Sequence, residues 1–169
     1  GGVCTLWYRH NRSGPWTAPD SVAQSNDGCW AVSVAVDKAG SAHIAYMEAP
    51  NMAFSGKLSY ATNASGSWVA GHVPTVNQAY DAAALAVDDE GHAHISFYVI
   101  GQSGIFYVTN QPGDWQAPVK VDDIGGQMEG QQTDIALSRT GTPHISYVGK
   151  PNAEPRRAFR EADGSWEIL

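Results

Sequence analysis

One sentence is written three times along this chain. It reads AVSVAVDKAGSAHIAY at 31–46 and DAAALAVDDEGHAHISFY at 81–98. It returns as TDIALSRTGTPHISY at 133–147. Each copy is followed by a second phrase: KLSYATNASGSW, then GIFYVTNQPGDW, then RRAFREADGSW. A second phrase without a first, LWYRHNRSGPW, stands near the N-terminus. The histidine of the first phrase falls at His43, His94 and His144, spaced 51 and 50 residues apart. The tryptophan of the second falls at Trp16, Trp68, Trp115 and Trp166, spaced 52, 47 and 51. Self-similarity at this period marks a propeller, a solenoid or an array, in which one unit cannot bury its apolar face alone.

The unit is made of strands. Val32, Val34 and Val36 alternate with Ser33 and Ala35, the period-two pattern of a half-buried strand. Asp37-Lys38-Ala39-Gly40 interrupts it. Asp at the first turn position bonds its own backbone, and Gly at the fourth tolerates positive φ. The turn recurs at Asp88–Gly91 and Ser138–Gly141. Ser does the turn's work but is a poor metal ligand, so the Asp at this position reads as structural. The second phrase is another hairpin, turning at Asn11–Gly14, Asn63–Gly66, Asn110–Gly113 and Glu161–Gly164. Pro112 sits badly at the third position of a type I turn, so that hairpin is expected to turn differently.

Four short antiparallel strands per unit make a propeller blade. The expected fold is all-β: a propeller segment of about three and a half blades in a single, partial domain. The half blade is 4–22, and the blades are 30–76, 81–121 and 132–169. Closed propellers have 4–8 blades, and open sheet edges recruit further strands. A second chain is therefore expected to complete the ring, either a copy of this one or the remainder of a precursor. The chain opens on Gly1-Gly2 rather than Met, which reads as a piece of something longer.

The net charge of −7 argues against nucleic acid and anionic membranes as partners, because both reward a basic face. No apolar run reaches the ~20 residues of a membrane span. Two cysteines, Cys4 and Cys29, either form a disulfide suited to an extracytoplasmic protein or stand as two buried thiols. Asn11-Arg12-Ser13 and Asn63-Ala64-Ser65 are glycosylation sequons, a pattern with a high chance rate.

The repeat resembles secreted bacterial β-propeller repeats of the BNR/Asp-box kind, found beside sialidase-like and lectin-like propellers. Asn63, Gly66 and Trp68 echo the Asp-box, with Gly and Trp one residue closer than in the Ser-x-Asp-x-Gly-x-Thr-Trp form. The resemblance implies a propeller that is secreted or held at the cell surface.

His43, His94 and His144 invite a zinc reading. Each occupies the same place in a different blade, on the second strand, so a packed and hydrogen-bonded role between blades is expected instead. The same holds for Tyr46, Phe97, Tyr147 and the repeated tryptophans. Function is sought where the copies disagree, in the loops after each second strand and those joining blades. These loops supply candidate ligand-binding residues: Glu48, Asn51, Phe54, Gln78, Tyr80, Asp81, Gln102, Asp123, Gln127, Glu129, Asn152, Glu154 and Arg156. Amides and carboxylates bond sugar hydroxyls, and aromatic rings face sugar rings. The expected function is non-catalytic glycan recognition, lectin-like, with no catalytic residue and no resident cofactor. Calcium at Asp122, Asp123 and Glu129 is the one cation considered.

Two alternatives stand beside it. One is a piece of a carbohydrate-active hydrolase or lyase. Glu48, Asp81, Asp123, Glu129 and Glu154 offer carboxylates, Arg156 and Arg157 offer charge for an acidic sugar, and His72, Tyr80 and His10 offer bases. The other is a structural or protein-interaction propeller.

Overall fold

A computed structural model describes residues 3–49, 56–74, 80–124, 132–149 and 154–169. The described residues form strands, turns and one 3-10 turn at Ile100–Gln102. They contain no α-helix, and hence no helix long and apolar enough to cross a membrane.

Among the described residues, fourteen strands form four antiparallel sheets in chain order. A two-stranded sheet pairs β1 (Cys4–Tyr8) with β2 (Asp20–Ser25). The first full sheet runs β3 (Gly28–Val36), β4 (Ala42–Ala49), β5 (Lys57–Thr62), β6 (Val69–His72). The second runs β7 (Tyr80–Val87), β8 (Ala93–Val99), β9 (Gly104–Thr109), β10 (Val119–Asp123). The third runs β11 (Thr133–Leu137), β12 (Pro143–Gly149), β13 (Glu154–Arg160), β14 (Trp166–Ile168). Each full sheet is a meander of neighbours, as in a propeller blade.

The turns form as their residues dictate. Asp37 Oδ1 accepts the Ser41 N–H at 2.7 Å, and Asp88 Oδ1 accepts those of Glu90 and His92 at 2.9 and 2.8 Å. Ser138 Oγ does the same work for Thr140 and Thr142 at 3.2 and 3.1 Å. Gly40, Gly91 and Gly141 close these turns with φ between 81° and 88°, where a Cβ is disfavoured. The Gln111–Pro112 peptide is cis, and the hairpin closes, as its siblings do, with the glycine N–H donating to the carbonyl of the first turn residue.

The sheets lie face against face. Leu85 of β7 is 7% exposed among Ala45, Met47 and Ala35 of the first sheet. Ile135 of β11, its counterpart, is 7% exposed among Ala84, Tyr98 and Ile105 of the second. Burying such a side chain stabilises the fold by about 1.5–3 kcal/mol. Aromatic pairs repeat the same junction further out. Tyr8 meets Trp68, Tyr60 meets Trp115 and Tyr107 meets Trp166, each edge-on with centroids 5.2–5.3 Å apart. One ring from each sheet thus clasps the indole of the next.

The repeated histidines are packed as expected, but their polar partners lie in their own sheet rather than across a boundary, and the His144 side chain has no hydrogen bond among the described residues. His43 Nε2 lies 3.2 Å from Asp37 Oδ2, and its Nδ1 lies 2.5 Å from the Tyr60 hydroxyl. His94 lies 3.6 Å from Asp88 and 2.6 Å from the Tyr107 hydroxyl. Both rings are buried. In His43 the carboxylate beside Nε2 holds the proton there, so the tyrosine O–H donates to Nδ1; His94 Nε2 has no hydrogen-bond partner among the described residues. In the third sheet Ser138 replaces the Asp, Arg157 stands opposite Ser146, and His144 stacks on Phe159. Cys4 and Cys29 are joined, Cα to Cα 5.9 Å, tying β1 to the start of β3. A structural disulfide fits an oxidising compartment.

Candidate functional site

The propeller-like stacking puts the loops after second strands and between sheets on one rim, and the turns inside sheets on the other. Asn51, Phe54, Gln78, Gln127, Glu129 and Asn152 lie outside the described residues. Tyr80 and Asp81 open β7. The remaining candidates fall into three clusters on the loop rim.

In the first sheet, Glu48 Oε1 accepts the Ser59 hydroxyl at 2.5 Å, and Ser59 Oγ lies 3.0 Å from His72 Nδ1. Ser, His and Glu in contact suggest a nucleophile, but the order is wrong. The serine spends its proton on the carboxylate and is fully buried, so the histidine cannot activate it. Burial, with Glu48 close by, pushes the Tyr46 hydroxyl up to about 12, so it is no base at neutral pH.

In the second sheet, Lys120 Nζ donates to Asp123 Oδ2 at 2.7 Å and to the Gln102 carbonyl at 3.0 Å. Between the second and third sheets, Asp122 Oδ2 accepts from Arg156 Nη1 at 3.1 Å and from the Tyr147 hydroxyl at 2.9 Å. Burial first, then Asp122, raises the Tyr147 hydroxyl well above its ordinary range. A Cβ on Gly149 would stand 2.5 Å from Arg156 Nε, so this glycine makes room for the guanidinium. Glu154 is exposed and pairs through its backbone with Gly149.

The opposite rim holds two adjoining cavities. Between the turns of the second and third sheets lies a cleft of about 460 Å³. Asp88, Asp89, Glu90, Gln111, Arg139 and Thr140 line it. An open groove of about 760 Å³ shares Asp88, Gln111 and Thr140 and adds His144, Phe159, Arg160 and Glu161. At the two earlier sheet boundaries a cation reaches across. Arg12 donates to the carbonyls of Gly40 and Ala39 at 3.1 and 3.4 Å, and Lys38 pairs with Asp89 at 3.4 Å. At the third boundary Arg139 lines the cleft instead, with no ion-pair or hydrogen-bond partner among the described residues. The Gln111 side-chain amide is also without one.

Here too the copies disagree. Ala39 and Ser41 of the first turn become Glu90 and His92 in the second, and Thr140 and Thr142 in the third. His92 Nδ1 sits 2.9 Å from Asp88 Oδ2 and 3.6 Å from Glu90 Oε2. These three ligand atoms lie within 4.8 Å of one another, close enough to share a metal ion. Burial raises Asp88, but hydrogen bonds from His92 and Glu90 outweigh it and hold the carboxyl below its ordinary range. Burial lowers His94 in turn. Sequence reasoning passed over this rim because its turns share one length. The signal was present in Glu90, His92 and Arg139, the residues by which equal-length turns differ.

No family model matches the chain, and no curated protein does. The BNR/Asp-box resemblance therefore rests on the quoted residues alone. Solved structures do match. A fucose lectin from Kordia zhangzhouensis, in complex with methyl-fucoside, is 17% identical with a TM-score of 0.50, over 84% of this chain and 97% of that one. AofleA from Arthrobotrys oligospora is 15% identical with a TM-score of 0.61, over 98% of this chain and 49% of its own. An α-L-arabinofuranosidase from Lactobacillus brevis is 14% identical with a TM-score of 0.59, over 90% and 60%. The chain thus spans about half of AofleA and nearly all of the Kordia lectin. At these identities the likeness is one of fold.

Proposed function

We propose that this chain is a segment of an extracytoplasmic β-propeller, about three and a half blades long, that binds glycans without transforming them. The observation that carries the reading is the cleft between the second and third sheets. Carboxylates, a free amide, hydroxyls and an unpaired guanidinium converge there, with the Phe159 ring in the adjoining groove. Such groups bond sugar hydroxyls in pairs. The Kordia neighbour, a fucose lectin on a like fold, supports it.

Asp88, Asp89, Glu90 and Glu161 outnumber Arg139 and Arg160 around this space. A neutral sugar suits that balance, and a sialic or uronic acid does not. Fucose is the first ligand to try. The loop rim, with Glu48, Tyr80, Asp81, Gln102, Asp123, Glu154 and Arg156, is the competing surface within the same reading. Calcium at Asp122, Asp123 and Glu129 belongs to that surface, and an EGTA-treated protein with unchanged melting and binding would remove it.

The test is titration with methyl-fucoside and a panel of neutral and sialylated glycans, followed by amide NMR. Shifts should centre on Gln111 and Arg139, and Gln111→Ala or Arg139→Ala should weaken binding by about tenfold, as losing a bond to a charged or amide group does. Shifts confined to Gln102, Asp123 and Arg156 would move the site to the loop rim. Silence across the panel refutes glycan binding. The arabinofuranosidase likeness keeps one enzymatic alternative, a carbohydrate-active hydrolase. Release of reducing ends from an arabinan would establish it.

A further inference from the structure

Among the described residues the two-stranded sheet has only its outer pair, and the place of an inner pair has left its imprint. Val34 holds the place of Leu85 and Ile135 in the repeat. Those two are 7% exposed, and Val34 is 57% exposed. Val32 and Val36, on the same face of β3, are equally open at 53% and 59%. In the second and third sheets this face is covered by the inner strands of the sheet before, and among the described residues β3 has none before it.

Three further groups point to the same absent element. β1 pairs only with β2 among the described residues, so its other edge is open; in the full sheets the corresponding β5, β9 and β13 each pair with an inner strand. Tyr60 and Tyr107 give their hydroxyls to His43 and His94 of that inner strand. Tyr8 clasps Trp68 as they clasp the next indole, yet its hydroxyl has no partner among the described residues. Asn63 and Asn110 accept the N–H of Ala42 and Ala93 at 2.7 and 2.6 Å, capping the start of the inner strand. Asn11, at the same turn position, accepts no such N–H among the described residues.

We propose that the slot beside β1 binds an inner β-hairpin of this same repeat, supplied by polypeptide outside residues 1–169. Its second strand adds to the edge of β1. Its Ala-His step brings an N–H to Asn11 and an imidazole to the Tyr8 hydroxyl. Its apolar face covers Val32, Val34 and Val36. A second copy of residues 1–169 cannot serve: its three inner hairpins are already paired with their own outer strands, and it too brings an outer pair in need of one. The inference is independent of glycan binding.

The chain carries the means to test it. In the second sheet β8 reaches β9 through Ile100–Ser103. A copy of residues 80–103 fused ahead of Val3 therefore delivers a hairpin to β1 through a native connector. The fusion should melt several degrees above the parent, as added apolar burial requires. Amide exchange across Cys4–Tyr8 should slow by about tenfold or more, as when an open edge becomes paired. Val34→Lys and Asn11→Ala should be nearly silent in the parent, where both side chains are unengaged. Each should cancel much of the gain in the fusion. Unchanged melting and exchange in a folded fusion would overturn the proposal. So would a parent chain that dimerises with its β1 amides already protected. If the fusion fails to fold, a synthetic peptide of residues 80–99 added to the parent replaces it. Saturable one-to-one binding lost in Val34→Lys is then expected, and no binding overturns the inference.

Discussion

Replacing Tyr107 with Phe separates the two jobs this residue holds. The ring clasps Trp166 with centroids 5.2 Å apart, and the phenylalanine keeps that contact. The hydroxyl sits 2.6 Å from His94 Nδ1, and the substitution strips it away. His94 is 1% exposed, so no water replaces the lost partner. A buried polar atom left unpaired costs about 1–3 kcal/mol. In a chain of this length each kcal/mol moves the melting temperature by about 2–4 °C, so a loss of about 2 kcal/mol lowers it by about 4–8 °C. Tyr8→Phe is the internal control. Its ring makes the same edge-on contact, with Trp68, but its hydroxyl has no partner to lose. That variant should stay within about 0.5 kcal/mol of the parent, as surface changes do. Urea unfolding followed by tryptophan fluorescence measures both. Equal costs for the two variants would refute a structural role for the repeated histidine and reopen it as a ligand.

Acid should weaken the fold before any carboxylate titrates. Burial lowers the pKa of His94 in the folded chain, so below the unfolded value of about 6.5 the unfolded state binds a proton that the folded state refuses, and stability falls with pH from there; a flat unfolding profile between about pH 7 and 5, or one unchanged in His94→Gln, counts against this. Hydrogen bonds hold Asp37 and Asp88 below the ordinary carboxylate range despite burial, so their share is lost only in stronger acid. Reduction of Cys4–Cys29, a bridge across 25 residues, should cost about 3.5 kcal/mol by loop entropy, and melting indifferent to reductant would show the bridge is not formed. Gly149→Ala should displace the Arg156 side chain from Asp122, because the new Cβ would stand 2.5 Å from Nε, at a stability cost of about 1 kcal/mol for a partly buried pair; an Arg156 Nε–H signal unmoved in NMR would deny the contact.

How much of this was legible in the sequence depends on the range of each interaction. Asp37 bonds a backbone four residues away and Ser138 does the same with less reach, so the turns could be read from local chemistry. His43 and His94 could be placed because repetition assigns them one strand position, and equivalent positions on stacked sheets do not converge. The histidine's second partner, a tyrosine 17 or 13 residues later, follows once two strands are known to pair. The cleft is different in kind. Glu90 and Arg139 are 49 positions apart in the chain and approach only because two turns are set side by side by the rotation between neighbouring sheets. Leu85, Ile135 and the clasped tryptophans pack at those sheet boundaries, outside the turns themselves. A search for function confined to loops of unequal length passes over such a place. Within a repeat, the sharper signal is a charged residue that breaks the pattern at constant length, since the scaffold holds it in register with its neighbour. Glu90, His92 and Arg139 are such residues, and they border one cavity.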